Sequence, residues 1–151
     1  MNKAILISAC LLGCPCRYDG GNHLIDALAG LKRFYPIVPI CPEQLGGLDT
    51  PRRSCEIIQS HGQQRVVTKD GNDVTEEFLN GAQRTLEIAQ KNDIQIAILK
   101  SNSPSCGYGQ VYDGTFSKKL VKGNGFAAQS LHNAGFRICN EFNYKKHINE
   151  I

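Results

Sequence analysis

A chain of 151 residues with 41% hydrophobic and 21% charged residues is long enough for one domain with a proper core and too short for two. Its net charge of +3 suits an anionic small molecule but falls well short of the basic footprint of a nucleic-acid binder. No apolar run approaches the roughly 18 residues that span a bilayer, and Met1-Asn2-Lys3 before a short apolar run is no signal peptide, so a cytoplasmic protein without membrane contact is expected.

Ala4-Ile5-Leu6-Ile7 reads as a first strand, followed by a cysteine-rich loop, Ser8-Ala9-Cys10-Leu11-Leu12-Gly13-Cys14-Pro15-Cys16-Arg17-Tyr18-Asp19-Gly20. Residues 22–35 carry Leu24, Leu28, Leu31 and Tyr35 at helical steps, and Pro36 ends that helix. Ile37 to Cys41 makes a second strand, with Pro39 marking an edge or a strand end. Residues 42–53 show neither period and predict a shaped loop; residues 56–59 and 65–68 predict a side hairpin. Asp73-Val74-Thr75-Glu76 resembles a capping box that opens a helix to about Asn92, with Gly81 weakening it by about 1 kcal/mol. Ile94 to Leu99 is almost wholly apolar, as a strand covered on both faces should be. Residues 101–125 read as a long loop. Asn124 is placed to cap a last helix with Ala127, Leu131 and Ala134 inward, and Gly135 stops it. Phe136 to Cys139 supplies the final strand, and a terminal turn or helix follows Asn143. The alternation predicts one α/β domain over residues 1–151, a compact Rossmann-like three-layer fold with a small, mostly parallel sheet of about four strands and a possible side hairpin.

Seven cysteines fit a disulfide framework badly, both as an odd number and in a reducing cytoplasm. Three fall within seven residues after the first strand, and Cys106 follows Ser101-Asn102-Ser103-Pro104-Ser105 after the Ile94–Leu99 strand. Parallel strands deliver such loops to one sheet edge, where α/β proteins bind ligands. On spacing alone, Cys10, Cys14, Cys16 and Cys106 suit structural zinc, though no C-x2-C knuckle is present. They also suit an iron–sulfur cluster, whose spacing rules are looser, or incidental and redox-active thiols. Cys41 and Cys139 lie near strand ends; Cys55 and Cys139 read as core thiols. The four histidines have no ligand spacing and read as surface or helix-end residues, and Lys118, Lys119 and Lys122 as a solvated run.

Ser8-Ala9-Cys10-Leu11-Leu12-Gly13, Cys16-Arg17-Tyr18-Asp19-Gly20, Cys41-Pro42-Glu43, Gly46-Gly47-Leu48, Pro51-Arg52 and Ser103-Pro104-Ser105-Cys106-Gly107 resemble, in order and along nearly the whole chain, the motifs of the thiouracil desulfidase family. The resemblance implies a [4Fe–4S] cluster held by Cys10, Cys16 and Cys106, with a fourth iron free for the sulfur of a thiolated pyrimidine, free base or nucleotide. It implies an acidic catalytic residue at Glu43 and a serine-rich loop acting through Ser101 and Ser103, with uracil and sulfide released by non-redox, hydrolase-like chemistry. Cys14 falls where the motif is open and is expected to be a bystander. Glu43 could instead be solvated or paired with Arg17 or Arg52, and Ser103-Pro104-Ser105 could be turn chemistry. Two other functions fit the bare sequence: a non-catalytic zinc- or thiol-rich nucleotide-binding module, and a redox or sulfur-carrier protein using Cys14-Pro15-Cys16.

Overall fold

The computed structural model describes residues 3–149. In chain order its elements are β1 (Ala4–Ser8), α1 (Asp26–Ala29), β2 (Ile37–Ile40), α2 (Pro42–Leu45), β3 (Cys55–Ser60), β4 (Gln63–Thr68), α3 (Thr75–Lys91), β5 (Ile94–Leu99), β6 (Gln110–Tyr112), β7 (Leu120–Lys122), α4 (Phe126–Asn133), β8 (Ile138–Asn140) and α5 (Tyr144–Ile148). Single 3-10 turns occupy Ala9–Leu12 and Gly30–Arg33.

β2, β1, β5 and β8 form one parallel sheet in that order. β1 is buried along its whole length, which is why its sequence is a continuous apolar run. Ala4 and Leu6 pack with Ala89, Ala128 and Leu131 of α3 and α4 on one face. Ile5 and Ile7 pack with Leu28 of α1 and Tyr144 of α5 on the other. The fold is therefore a three-layer α/β sandwich, as the alternation predicted. In β5, Ile94 and Ile96 stand two apart yet pack on opposite faces, because the register against β1 slips between Ala4 and Ile5. The side hairpin β3–β4 turns at His61 and Gly62, both at positive φ, and packs Ile57 and Val66 against Phe78 of α3.

Several elements differ from the sequence expectation. Residues 22–25 are not helical: the amides of His23 and Ile25 donate to the carbonyls of Cys10 and Leu11 at 2.8 and 2.9 Å, so this strap is tied to the cysteine loop and the helix starts only at Asp26. Residues 42–53 do contain a helical turn, α2, opened by a buried Pro42 whose missing N–H is no loss at a helix start. Asp73 accepts from the Thr75 amide at 2.9 Å, but no side-chain cap bond closes a capping box with Glu76, and α3 begins at Thr75. The long loop over residues 101–125 holds a further hairpin, β6–β7. Asn124 does not cap α4; its side chain joins the Gly109 amide to Gln129, and Gly125 is the N-cap. Ala128 turns inward where Ala134 was expected, and Gly135 at φ 89° ends the helix.

Gly81 has a use the propensity argument misses. A Cβ there would collide with the carbonyl oxygen of Pro42, and a Cβ on Gly46 with that of Glu77. α2 thus lies backbone to backbone on α3, and Arg84 Nη1 fastens it by donating to the Leu45 carbonyl at 2.9 Å. This contact fixes the backbone turn that carries Glu43.

Candidate active site

β1 and β5 are neighbours, and the chain leaves β1 toward β2 on one side and β5 toward β8 on the other. That reversal opens a crevice beyond the strand ends. A cavity of about 480 Å³ lies there, lined by Cys10, Cys16, Arg17, Tyr18 and His23 after β1, by Cys41, Glu43 and Arg52 after β2, and by Lys100, Ser101, Ser103, Ser105 and Cys106 after β5.

Backbone bonds shape both cysteine loops. After the 3-10 turn, Gly13 at φ 94° reverses the chain, and the Cys16 amide donates to the Cys14 carbonyl at 2.8 Å. In the second loop the Ser103 hydroxyl accepts the Cys106 amide at 2.7 Å, and the Gly107 amide donates to the Ser103 carbonyl at 2.9 Å. The first amides of α4 hold the loop from outside: Phe126 donates to Pro104, and Ala127 and Ala128 to Ser105. These would otherwise be orphan helix donors. Gly125 has no side chain because one would strike the Ser105 backbone.

Cys16 and Cys106 are buried; Cys10, Cys14 and Cys41 are half-buried. Cys16 meets the thiols of Cys10, Cys41 and Cys14; the Cys10 contact, helped by burial, pushes its pKa up to about 12 against a lowering from Cys41. Burial pushes Cys106 up to about 12 as well, while the Ser8 hydroxyl donates to its sulfur at 3.2 Å and pulls it back. The Cys41 thiol, raised by its contact with Cys16 and by burial, donates to the Cys16 carbonyl at 3.8 Å. Cys14 lines a second, mostly apolar cavity of about 490 Å³ that also touches Cys41. Cys55, expected only as a core thiol, packs in the hairpin core and also lines the site cavity; Cys139 is a core thiol, donating to the Ala97 carbonyl at 3.7 Å.

Among the described residues no three His, Cys, Asp or Glu side chains converge as they would around a single metal ion. The thiols of Cys10, Cys16 and Cys106 reach one cavity from two loops instead, which suits the separated corners of an iron–sulfur cube. The Ser8 hydroxyl directed at the buried Cys106 sulfur also fits, since a ligating sulfur is a thiolate and such donors tune iron–sulfur clusters.

Arg17 pairs with Asp19, while Glu43 is largely buried and pairs with Arg52, one of the alternatives weighed. Its Oε1 accepts from Arg52 Nε at 3.2 Å and its Oε2 from the Ser105 hydroxyl at 3.0 Å. Ser101 is anchored on Glu141, whose carboxylate accepts the Ser101 amide and hydroxyl, both at 2.8 Å, and faces Lys100 Nζ at 3.1 Å. Ser103 spends its oxygen on the Cys106 amide, which is the turn chemistry weighed as the alternative. Ser8, Ser105, Lys100 and Glu141 join the site without having been singled out. Ser8 and Ser105 sit inside the motifs, but nothing in the pattern marks Glu141, which lies beyond β8 and 40 residues from Ser101. His23, expected at the surface, is half-buried and lines the cavity; Lys118 is exposed as expected and also lines it, and burial with Arg17 and Lys100 nearby lowers the His23 pKa.

The 2-thiouracil desulfurase family profile matches residues 5–143. An uncharacterised protein of Bacillus subtilis, YbbK, is 43% identical over 143 residues, which are 91% of this chain and 95% of that protein. A solved structure of the [4Fe-4S]-dependent thiouracil desulfidase TudS superposes with a TM-score of 0.86 at 38% identity, over 95% of this chain and 94% of that one. The cavity where the cysteine loops meet is thus the crevice of a protein that belongs to the 2-thiouracil desulfurase family.

Proposed function

We propose that this protein removes sulfur from a thiolated uracil, replacing the C=S sulfur with the oxygen of water and releasing uracil and hydrogen sulfide without a change of oxidation state. The observation that carries the reading is the meeting of Cys10, Cys16 and Cys106 on one cavity at the sheet's reversal point. Family membership and the likeness to TudS support it.

Cys10, Cys16 and Cys106 would hold the [4Fe–4S] cluster. Bound by three thiolates, such a cluster supplies an iron without a protein ligand, which a soft thiocarbonyl sulfur prefers to a hard cation. The rest of the site serves the ring and the water. Glu43, fixed at both oxygens, presents a carboxylate to the cavity that can hold a water and take its proton. Ser101 gives its hydroxyl hydrogen to Glu141, so toward the cavity its oxygen is an acceptor, matched to a ring N–H. Lys69 and Lys118 line the same cavity and favour an anionic form of the substrate, Lys100 and Arg17 being paired with Glu141 and Asp19.

The test is anaerobic reconstitution with iron and sulfide, then sulfide release from 2-thiouracil, 4-thiouracil and their nucleotides. Iron and sulfide bound in near-equal amounts, with sulfide released from one of these substrates, is the expected result. A colourless protein holding one zinc and releasing no sulfide would overturn the reading in favour of a binding module.

A further inference from the structure

The side chain of Arg52 is only 8% exposed, yet its guanidinium reaches three parts of the chain. Nε donates to Glu43 Oε1 at 3.2 Å, Nη2 to the Cys16 carbonyl at 3.0 Å, and Nη1 to the Asp49 carbonyl at 3.2 Å and the Thr50 hydroxyl at 2.9 Å. Its own amide donates to the Tyr18 carbonyl at 2.6 Å. The bonds leave the planar fork in different directions, so the group acts as a rigid three-way joint rather than as a point charge. A lysine ammonium on the same stem has no such spread of donors.

The other carboxylate oxygen of Glu43 is held by Ser105, the residue before Cys106. Glu43 therefore hangs between the Cys16 arm, through Arg52, and the Cys106 arm, through Ser105. A donor on the Cys16 carbonyl fixes the peptide plane from which the Cys16 side chain departs. Arg17, in contrast, spends its charge on Asp19 at 3.6 Å and on the Tyr18 ring, and reaches neither Cys16 nor Glu43.

We propose that Arg52 is a positioning residue that joins the Cys16 arm of the site to the Glu43 carboxylate, so that retention of the cysteine-held group and the aim of Glu43 depend on one guanidinium. This rests on the desulfuration reading, and it assigns Arg52 no contact with substrate. Partners one step behind metal ligands commonly govern both affinity and activity.

The test uses reconstituted Arg52→Lys and Arg52→Ala protein. Iron loss to a ferrous chelator should run about 10–100-fold faster in Arg52→Lys than in the wild type, the usual size of such effects. Its kcat should fall about 10²-fold while KM holds within about threefold, as expected when a reacting group is misplaced rather than substrate binding lost. Guanidinium ion at a non-denaturing concentration, added to Arg52→Ala, should slow iron loss and raise kcat together. Wild-type iron retention in Arg52→Lys, or rescue of neither property in a folded Arg52→Ala, would overturn the proposal and leave Arg52 as a clasp for its own loop. If Arg52→Ala does not fold, the iron-loss rate of Arg52→Lys decides. A double-mutant cycle of Arg52→Lys with Glu43→Gln, read on the denaturant midpoint of the metal-free protein, tests the link without substrate; additivity would break it. Should the loaded wild type release no sulfide from any thiouracil, the desulfuration reading fails, while the iron-loss and cycle measurements still judge Arg52.

Discussion

Ser8 closes strand β1 with its hydroxyl 3.2 Å from the sulfur of Cys106, 98 residues later in the chain. The same oxygen accepts the Lys100 amide at 2.9 Å, so its one hydrogen is turned toward the sulfur. Ser8→Ala removes that donor and leaves the Lys100 N–H without its partner. The metal-free protein should lose about 1–3 kcal/mol of stability, the cost of an unsatisfied buried group. Iron bound after reconstitution should fall as well, because the buried sulfur loses the donor that favours its thiolate. Denaturant midpoints and iron content measure the two effects separately, and wild-type values for both would strip Ser8 of its role.

Gly81→Ala separates intrinsic helix preference from packing. In an exposed helix the change would stabilise by about 1 kcal/mol. Here the added methyl meets the Pro42 carbonyl, and neither backbone can swing aside as a flexible side chain would. The expected outcome is a loss of about 1–3 kcal/mol, the usual cost of overpacking. Turnover should drop too, because α2 must move and carries Glu43 with it. Urea unfolding and sulfide-release rates check this; a stabilised, fully active variant would show the contact to be slack.

Glu141 gives the fold a pH-dependent element. Burial works against its charge, yet the hydrogen bonds from its own amide and from the Ser101 amide and hydroxyl, with the Lys100 ammonium, outweigh burial and hold the carboxyl below its ordinary value of 4.5. A depressed folded pKa means stability that is present above the unfolded value and lost as pH falls through the folded one. Unfolding midpoints of the metal-free protein should therefore drop as pH falls below about 4.5, and Glu141→Gln should flatten that slope while lowering stability near neutrality. An unchanged slope in Glu141→Gln would assign the acid sensitivity to other carboxylates.

Much of this fold is legible because β1 and β5 are covered on both faces, and double coverage demands apolar runs such as Ile5-Leu6-Ile7 and Ile96-Ala97-Ile98. The hairpin β3–β4 shows in its two short runs, residues 56–59 and 65–68, while its turn at His61 and Gly62 is seen only in the structure. The strap over residues 22–25 misleads for a physical reason: Leu24 keeps helical spacing with Leu28, yet it is 50% exposed, because backbone bonds to the cysteine loop outweigh the pattern. Strands of three residues, as in β6 and β7, are too short to show any period. Among the site residues, the thiols at strand ends follow from topology. The setting of Glu43 does not, since it depends on Gly46 and Gly81 meeting across two helices and on an arginine reaching back to Cys16. Pairings over such sequence distances leave no local mark.

Cys14 and Cys41 are the thiols whose part the motifs leave open. Cys14 touches Cys16 but lines the second cavity rather than the first, whereas Cys41 lines both. Cys14→Ala should retain its iron, and Cys10→Ser, Cys16→Ser and Cys106→Ser should each lose most of it. Cys41→Ser should also retain iron, because its thiol is directed at the Cys16 carbonyl. Iron loss in Cys41→Ser beside retention in Cys10→Ser would move the third ligand position to Cys41.

The last prediction isolates the proton chemistry of Glu43. Glu43→Gln keeps an acceptor for Arg52 and a polar neighbour for Ser105, so the loops should stay in register and the cysteine-held group should remain bound. What it removes is the negative charge and the capacity to take a proton. The Arg52 guanidinium, 8% exposed, then has carbonyls but no counterion, and the metal-free protein should lose stability as an interrupted ion pair does. Turnover of the loaded variant should fall by about 10²–10⁴, the usual worth of a general base, with iron content unchanged. Glu43→Asp should recover only part of that: it restores the charge but withdraws the carboxylate by one methylene, and it cannot reach Arg52 and Ser105 together from the same backbone. A fully loaded Glu43→Gln protein with the wild-type rate would remove Glu43 from proton transfer and leave the water to be activated by another group lining the cavity.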